Sequence, residues 1–162
     1  MVTTTAQVYE LLGMLATHFS ALDRNTKLLL HRLKGDADHA ALTRMIEKLT
    51  FNKAIEGCQE AAKIRFAQQP DRLAVVTALL DRVDAVREKR NLFIHGLWGI
   101  DERMLPMVII VEYKLRFNEE RQSWEHLVST KTDRDTLQTD LEGVAKLMDE
   151  VLRFTDTIPV AE

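Results

Sequence analysis

The chain has 162 residues, of which 46% are hydrophobic and 29% are charged, and its formal net charge is −3. A chain of this length and composition can bury roughly 70% of its unfolded surface as one globular domain, without disulfides or metals. The slightly acidic balance excludes a generic polyanion-binding protein, so any nucleic-acid site must be local. The single cysteine, Cys58, excludes an internal disulfide and a cysteine-rich metal site, and neither a metal nor a cofactor is expected.

The N-terminal segment predicts one long helix. Apolar residues return every three or four positions from Val8 to Leu22 and again at Leu29 and Leu33, which is the spacing of one helix face. Gly35 follows as a helix stop, and the pattern leaves a break near residues 23–25 open.

Two shorter helices are expected next. The first carries the apolar positions of residues 42–49 and has Asp36 or Asp38 as its N-cap. Thr50 then provides the N-cap of a third helix, which covers residues 51–66. Cys58 lies on the apolar side of this helix and is expected to be a small core residue.

A fourth helix is expected from about Asp71 to His95. Pro70 cannot continue the preceding helix, and Asp71 can cap the new one. Its apolar positions advance by three or four residues: Leu73, Val76, Leu80 and Val83. The same step leads to Arg87, Arg90 and Ile94, so the Arg90 guanidinium is expected on a buried face, where it needs a partner.

The period of the pattern then changes from that of a helix to that of a strand. Residues 107–118 are rich in Val, Ile, Tyr and Phe, and residues 111–117 alternate apolar and polar side chains, as a half-buried strand does. A polar turn at residues 118–122 and a second strand at 123–131 complete a β-ribbon, to which residues 97–100 can add a short third strand. A ribbon of this size needs the helices to cover one of its faces.

A last helix is expected over about residues 133–155, with an apolar core side and an acidic outer side. The predicted fold is therefore mainly α, a four- or five-helix bundle with a small antiparallel β-ribbon inserted at about 97–131. Residues 1–162 are expected to form a single domain. The absence of a membrane-spanning apolar run or a signal sequence predicts a cytoplasmic protein with no membrane partner.

The residues that stand out chemically are Arg90, Asn91 and His95, just before Gly96. The sequence contains no glycine-rich phosphate loop, no dinucleotide fingerprint and no zinc-binding histidine pair. Asn91 and His95 are separated by one helical turn, and Gly96 is the residue type that most often ends a helix. Arginine, asparagine and histidine side chains are thus expected to converge near one helix terminus.

The pattern Arg90-Asn91-x-x-x-His95, followed by Gly96, resembles the motif of the HEPN domains, which are small helical domains with this motif near the end of a late helix. The resemblance also covers the order of long helical segments, whereas the β-ribbon is an addition to the basic HEPN domain. Many members are metal-independent ribonucleases of toxin or defence systems. They form homodimers in which two motif helices build one cleft.

The resemblance implies a catalytic role for three residues. His95 acts as acid or base on the RNA 2′-OH and the scissile phosphate, Arg90 binds that phosphate, and Asn91 orients the other two. The nearby cations Arg87 and Lys89 are candidate phosphate-binding residues. RNA, a second copy of the chain and a cognate antitoxin are the implied partners.

Two other interpretations remain open from the sequence. Arg90 can be a structural residue that pairs with a carboxylate or caps backbone carbonyls, in a helical interaction module without catalysis. The motif can also bind a nucleotide or another phosphate ligand without hydrolysing it.

Overall fold

A computed structural model describes residues 5–35, 39–95, 97–100 and 107–159. These ranges contain five helices and one three-stranded sheet, which confirms the predicted mainly α fold with a β-ribbon before the last helix. The elements in chain order are α1 (Thr5–Lys34), α2 (His39–Glu47), α3 (Phe51–Arg65), α4 (Pro70–His95), β1 (Leu97–Ile100), β2 (Met107–Asn118), β3 (Ser123–Asp133) and α5 (Arg134–Asp156).

Local signals set several helix ends where they were expected. Helix α1 continues without a break through residues 23–25 and stops before Gly35, whose φ of 56° is the left-handed conformation that glycine tolerates. The side chain of Thr50 accepts a hydrogen bond from the backbone N–H of Lys53 and caps α3. The proposed α2 caps, Asp36 and Asp38, lie outside the described residues.

Helix α4 begins one residue earlier than expected, at Pro70. Proline suits the first helical position because the missing N–H would have no intrahelical partner there. Asp71 therefore lies in the first turn rather than at the cap, where its negative charge still complements the helix dipole.

The chain divides into two compact units. One comprises Met1–Thr17 and Glu88–Glu142, and the other comprises His18–Arg87 and Gly143–Glu162. The core of the second unit comes mainly from helices and includes Phe19, Leu22, Leu29, Ile55, Cys58, Val76, Leu80, Val83 and Val151. In the first unit, the buried apolar residues of the described helices include Val8, Leu11, Leu15, Phe93, Leu137 and Leu141. The single-domain assignment of residues 1–162 stays a prediction.

The sheet belongs to the first unit and has the antiparallel order β1-β2-β3. Leu97 pairs with Val111, and Phe117 pairs with Trp124, so the ribbon and its short third strand form as expected. The polar turn closes through Gln122, which has a φ of 48° and donates its side-chain amide to the carbonyl of Glu119.

Cys58 is a core residue, as predicted. It is fully buried, and its thiol contacts the carbonyl oxygen of Thr26 at 3.4 Å. Burial raises the pKa of the Cys58 thiol because the thiolate would lose its hydration. A thiol held in this neutral form is a poor nucleophile and a poor metal ligand.

Helix α5 is capped by Asp133, whose Oδ1 accepts a hydrogen bond of 2.7 Å from the backbone N–H of Thr136. This bond to the charged form lowers the pKa of the Asp133 carboxyl. A group with a lowered pKa in the folded state stabilises the fold above its unfolded pKa. That contribution is lost as the pH falls through the folded value.

We expect Asp133→Ala to lower the thermal unfolding temperature at neutral pH, because the N–H of Thr136 loses its acceptor. Asp133→Asn should keep most of the stability, since asparagine is also a good cap. The difference between wild type and Asp133→Ala should shrink as the pH falls below the usual aspartate range. A difference that grows on acidification, measured by circular dichroism melts, would contradict this role.

Candidate functional site

One face of α4 leads from the helical core to the motif. Val76, Leu80 and Val83 are completely buried, as the sequence pattern predicts. Beyond them, the prediction for Ile94 is wrong: its side chain is 43% exposed, whereas Phe93 is only 6% exposed. The buried face continues from Arg90 to Phe93, three residues further on, and not to Ile94, four residues further on. With 3.6 residues per turn, either position lies close to the same face of the helix.

Arg90 is half-buried, as its place on this face suggests. Its Nη1 lies 3.5 Å from the Oδ1 of Asn91, at the long limit of a hydrogen bond. Its Nε is buried and has no hydrogen-bond partner among the described residues. No described carboxylate forms an ion pair with Arg90 either. The buried Nε of the guanidinium therefore lacks a hydrogen-bond acceptor.

This geometry bears on the structural interpretation of Arg90, which requires a carboxylate or carbonyl partner in the same chain. A buried donor without a partner lowers stability by about 1–3 kcal/mol. Natural proteins leave few such groups, and each one calls for an explanation such as a bound ligand or a catalytic role. An oxyanion that approaches from the Nη side would supply the missing negative charge. It would reach Nε as well once the side chain opens to solvent, because the guanidinium fork matches two oxygens.

Arg87, a predicted phosphate-binding residue, is engaged within its own helix. Its Nε donates to Oδ1 of Asp84 at 2.6 Å, and its side chain is only 18% exposed. A phosphate would therefore compete with an existing carboxylate at this position. Phosphate binding by Arg87 stays a prediction.

Lys89, the other predicted phosphate-binding residue, pairs with a residue of α5. Its Nζ donates to Oδ1 of Asp140 at 2.5 Å, and the Asp140 side chain is only 15% exposed. The prediction that the acidic side of this helix faces outward is wrong for Asp140. Its position directly before the buried Leu141 was the available signal, because that position lies at the edge of the apolar stripe.

Asn91 and His95 complete the motif on α4. The Asn91 side chain is exposed, and the helix extends to His95 as its last residue, which preserves the spacing of one turn between them. The His95 side chain and Gly96 lie outside the described part of the molecule. The structure thus places Arg90 beside Asn91 and leaves the role of His95 as a prediction.

Within the described ranges, no three histidine, cysteine, aspartate or glutamate side chains are grouped so that they could hold a metal ion. Over the same ranges, none of the helices combines the length and the apolar character that a membrane crossing requires.

Comparison with protein-family models, with curated proteins and with solved structures gives no match for this chain. The resemblance to HEPN domains therefore depends on the motif of residues 90–95 and on the order of the elements.

The unequal pairing of Arg87 and Arg90 on α4 yields a prediction. Arg90→Met should leave the unfolding temperature unchanged or raise it, because methionine keeps an apolar stem and removes the unsatisfied Nε. The matched variant Arg87→Met breaks the pair with Asp84. It should lower the unfolding temperature by about 2–4 °C if the pair contributes about 1 kcal/mol.

Thermal unfolding of both variants followed by circular dichroism distinguishes the two outcomes. An equal fall in both would indicate that Arg90 makes a stabilising interaction of the structural kind.

Proposed function

We propose that the protein is a metal-independent endoribonuclease of the HEPN type, in which Arg90 binds the scissile phosphate of RNA. The observation that supports this role is the half-buried guanidinium of Arg90, whose Nε has no partner among the described residues. A phosphate oxygen is a strong acceptor and carries the charge that the guanidinium needs.

In this proposal, His95 transfers the protons. As a base it removes the proton of the 2′-OH, whose oxygen attacks the adjacent phosphorus while the 5′-oxygen leaves. The products are a 2′,3′-cyclic phosphate and a 5′-hydroxyl, with the leaving oxygen protonated by a histidine or by water. Imidazole suits this work because its ordinary pKa lies near neutrality, and the C-terminal end of a helix favours its charged form.

Arg90 and Asn91 have supporting roles in the same step. Arg90 would stabilise the negative charge that develops on the phosphorane oxygens. The Oδ1 of Asn91, 3.5 Å from Nη1 of Arg90, would restrict the guanidinium plane. Because the nucleophile belongs to the RNA, the reaction as proposed requires no metal.

We also propose the biological role and the assembly that the HEPN-like motif implies. The protein would act in the cytoplasm as a toxin or defence ribonuclease, and a cognate antitoxin would restrain it. Its active form would be a homodimer in which two motif helices contribute to one cleft. The 43% exposed Ile94, three residues from Asn91 on the same helix, is an apolar side chain that such an interface would cover.

A second candidate function is a non-catalytic interaction module. The observation that favours it is the neutralisation of two neighbouring cations, since Arg87 is paired with Asp84 and Lys89 with Asp140. These pairs reduce the positive charge available to a polyanion. The two candidates make opposite predictions about RNA cleavage.

Assembly is tested by light scattering. We expect a dimer at micromolar concentration and a monomer for Ile94→Glu, because a charge would be buried in the interface. The matched variant Val75→Glu, at a 56% exposed position of the same helix, should remain dimeric. A wild-type monomer would contradict the shared cleft.

Catalysis is tested by incubating total RNA with purified protein in the presence of EDTA. We expect the wild type to produce cyclic-phosphate ends and His95→Ala to be slower by about 10²–10⁴-fold, because a proton-transfer group is lost. RNA binding should survive in His95→Ala, whereas Arg90→Ala should weaken both binding and cleavage. His31→Ala, which removes a histidine of α1, is the matched control and should cleave normally.

Equal cleavage by wild type and His95→Ala, or none by either, would rule out His95 as the acid–base group. The interaction module would then be the preferred function.

A further inference from the structure

The second compact unit, which comprises His18–Arg87 and Gly143–Glu162, contains a cavity of about 720 Å³. This volume lies within the range of small-molecule sites in proteins. Its lining combines cations and apolar groups and includes Lys34, Glu60, Ile64, Arg65, Phe66 and Arg72. None of the motif residues is among the lining residues. Ligand binding in the cavity therefore does not depend on the proposed ribonuclease activity.

The charge of the lining is positive although the chain as a whole has a net charge of −3. Lys34, Arg65 and Arg72 face a single acid, Glu60. Lys34 is exposed and has no hydrogen-bond or ion-pair partner among the described residues. A local excess of positive charge in a concave site favours an anionic ligand.

The two guanidinium groups are held in place by backbone carbonyls near the end of the chain. Nη2 of Arg65 donates to the carbonyl of Pro159 at 3.1 Å, and Nη2 of Arg72 donates to the carbonyl of Thr157 at 3.2 Å. A guanidinium has five N–H donors, so each retains unused donors after these bonds. Donors fixed in advance bind an anion with a smaller loss of entropy.

The guanidinium of Arg72 lies close to a pair of aromatic rings. Its guanidinium carbon lies 4.8 Å from the ring centre of Phe66 and 5.9 Å from that of Phe154. The two rings meet edge to face, at 6.2 Å between centres. This arrangement fixes the guanidinium plane by cation–π attraction and gives the cavity an apolar wall.

We propose that this cavity binds a small phosphate monoester of mononucleotide size. The phosphate would contact Lys34, Arg65 and Arg72, because arginine forks match its oxygens and lysine adds charge. The apolar or planar body of the ligand would lie against Ile64, whose side chain is 81% exposed. A phosphate is preferred to a carboxylate because three cations surround the site and a phosphate monoester carries nearly two charges.

The test is a calorimetric titration of AMP into the Arg90→Gln variant of the 162-residue chain. This background removes the proposed phosphate site of the motif, so that failure of the ribonuclease proposal does not affect the result. We expect AMP to bind at least about tenfold more tightly than adenosine or inorganic phosphate, since each of these lacks half of the required contacts. Equal affinity for AMP and adenosine, or no binding of AMP at millimolar concentration, would overturn the proposal.

A matched pair of charge reversals locates the binding site. Lys34→Glu should weaken AMP binding by about three- to tenfold, because an exposed charge is partly screened by solvent. Lys63→Glu makes the same change in net charge at an exposed position of α3 that does not line the cavity, and it should leave the affinity unchanged. Equal effects of the two variants would show that AMP binds elsewhere.

Discussion

Burial of one face of helix α4 is the constraint on which the candidate site depends. Val76, Leu80 and Val83 are fully withdrawn from water, and the helix continues without interruption to His95. A regular helix that buries these positions also directs the positions three to four residues further along to the same side. Arg90 therefore loses part of its hydration through its place on the helix, and its Nε becomes a buried donor in need of an acceptor.

The charges around the motif are not equivalent, and their pairing accounts for the difference. Asp84 and Asp140 each satisfy one neighbouring cation, so Arg87 and Lys89 already have anionic partners. Arg90 has only a long contact with Asn91 among the described residues. A ligand that carries a phosphate would gain most from Arg90, because it would displace no carboxylate there. A single-phosphate contact at Arg90 agrees better with the net charge of −3 than a broad polyanion-binding surface does.

In the cavity of the second unit, too, the partners of the arginines determine how much positive charge they present. Its arginines are oriented by backbone carbonyls and aromatic rings instead of carboxylates. A guanidinium held by a neutral carbonyl retains its full charge, whereas one held by a carboxylate is neutralised locally. The cavity therefore stays positive, while the pairs formed by Arg87 and Lys89 do not contribute free charge.

The sequence by itself determined the features that depend on near neighbours. Gly35 as a helix stop, Thr50 as a cap, the change of period at Met107 and the turn before Ser123 all agree with the structure. Tertiary structure decided that Lys89 pairs with Asp140, which lies 51 positions away in the sequence. It also decided that Phe93, and not the predicted Ile94, lies on the buried face of α4. It also brought together the cavity lining, which extends from Leu33 to Pro159. Caps and periodicity act within one or two turns of chain, whereas charge pairing and cavity shape depend on how distant helices pack, which no local pattern specifies.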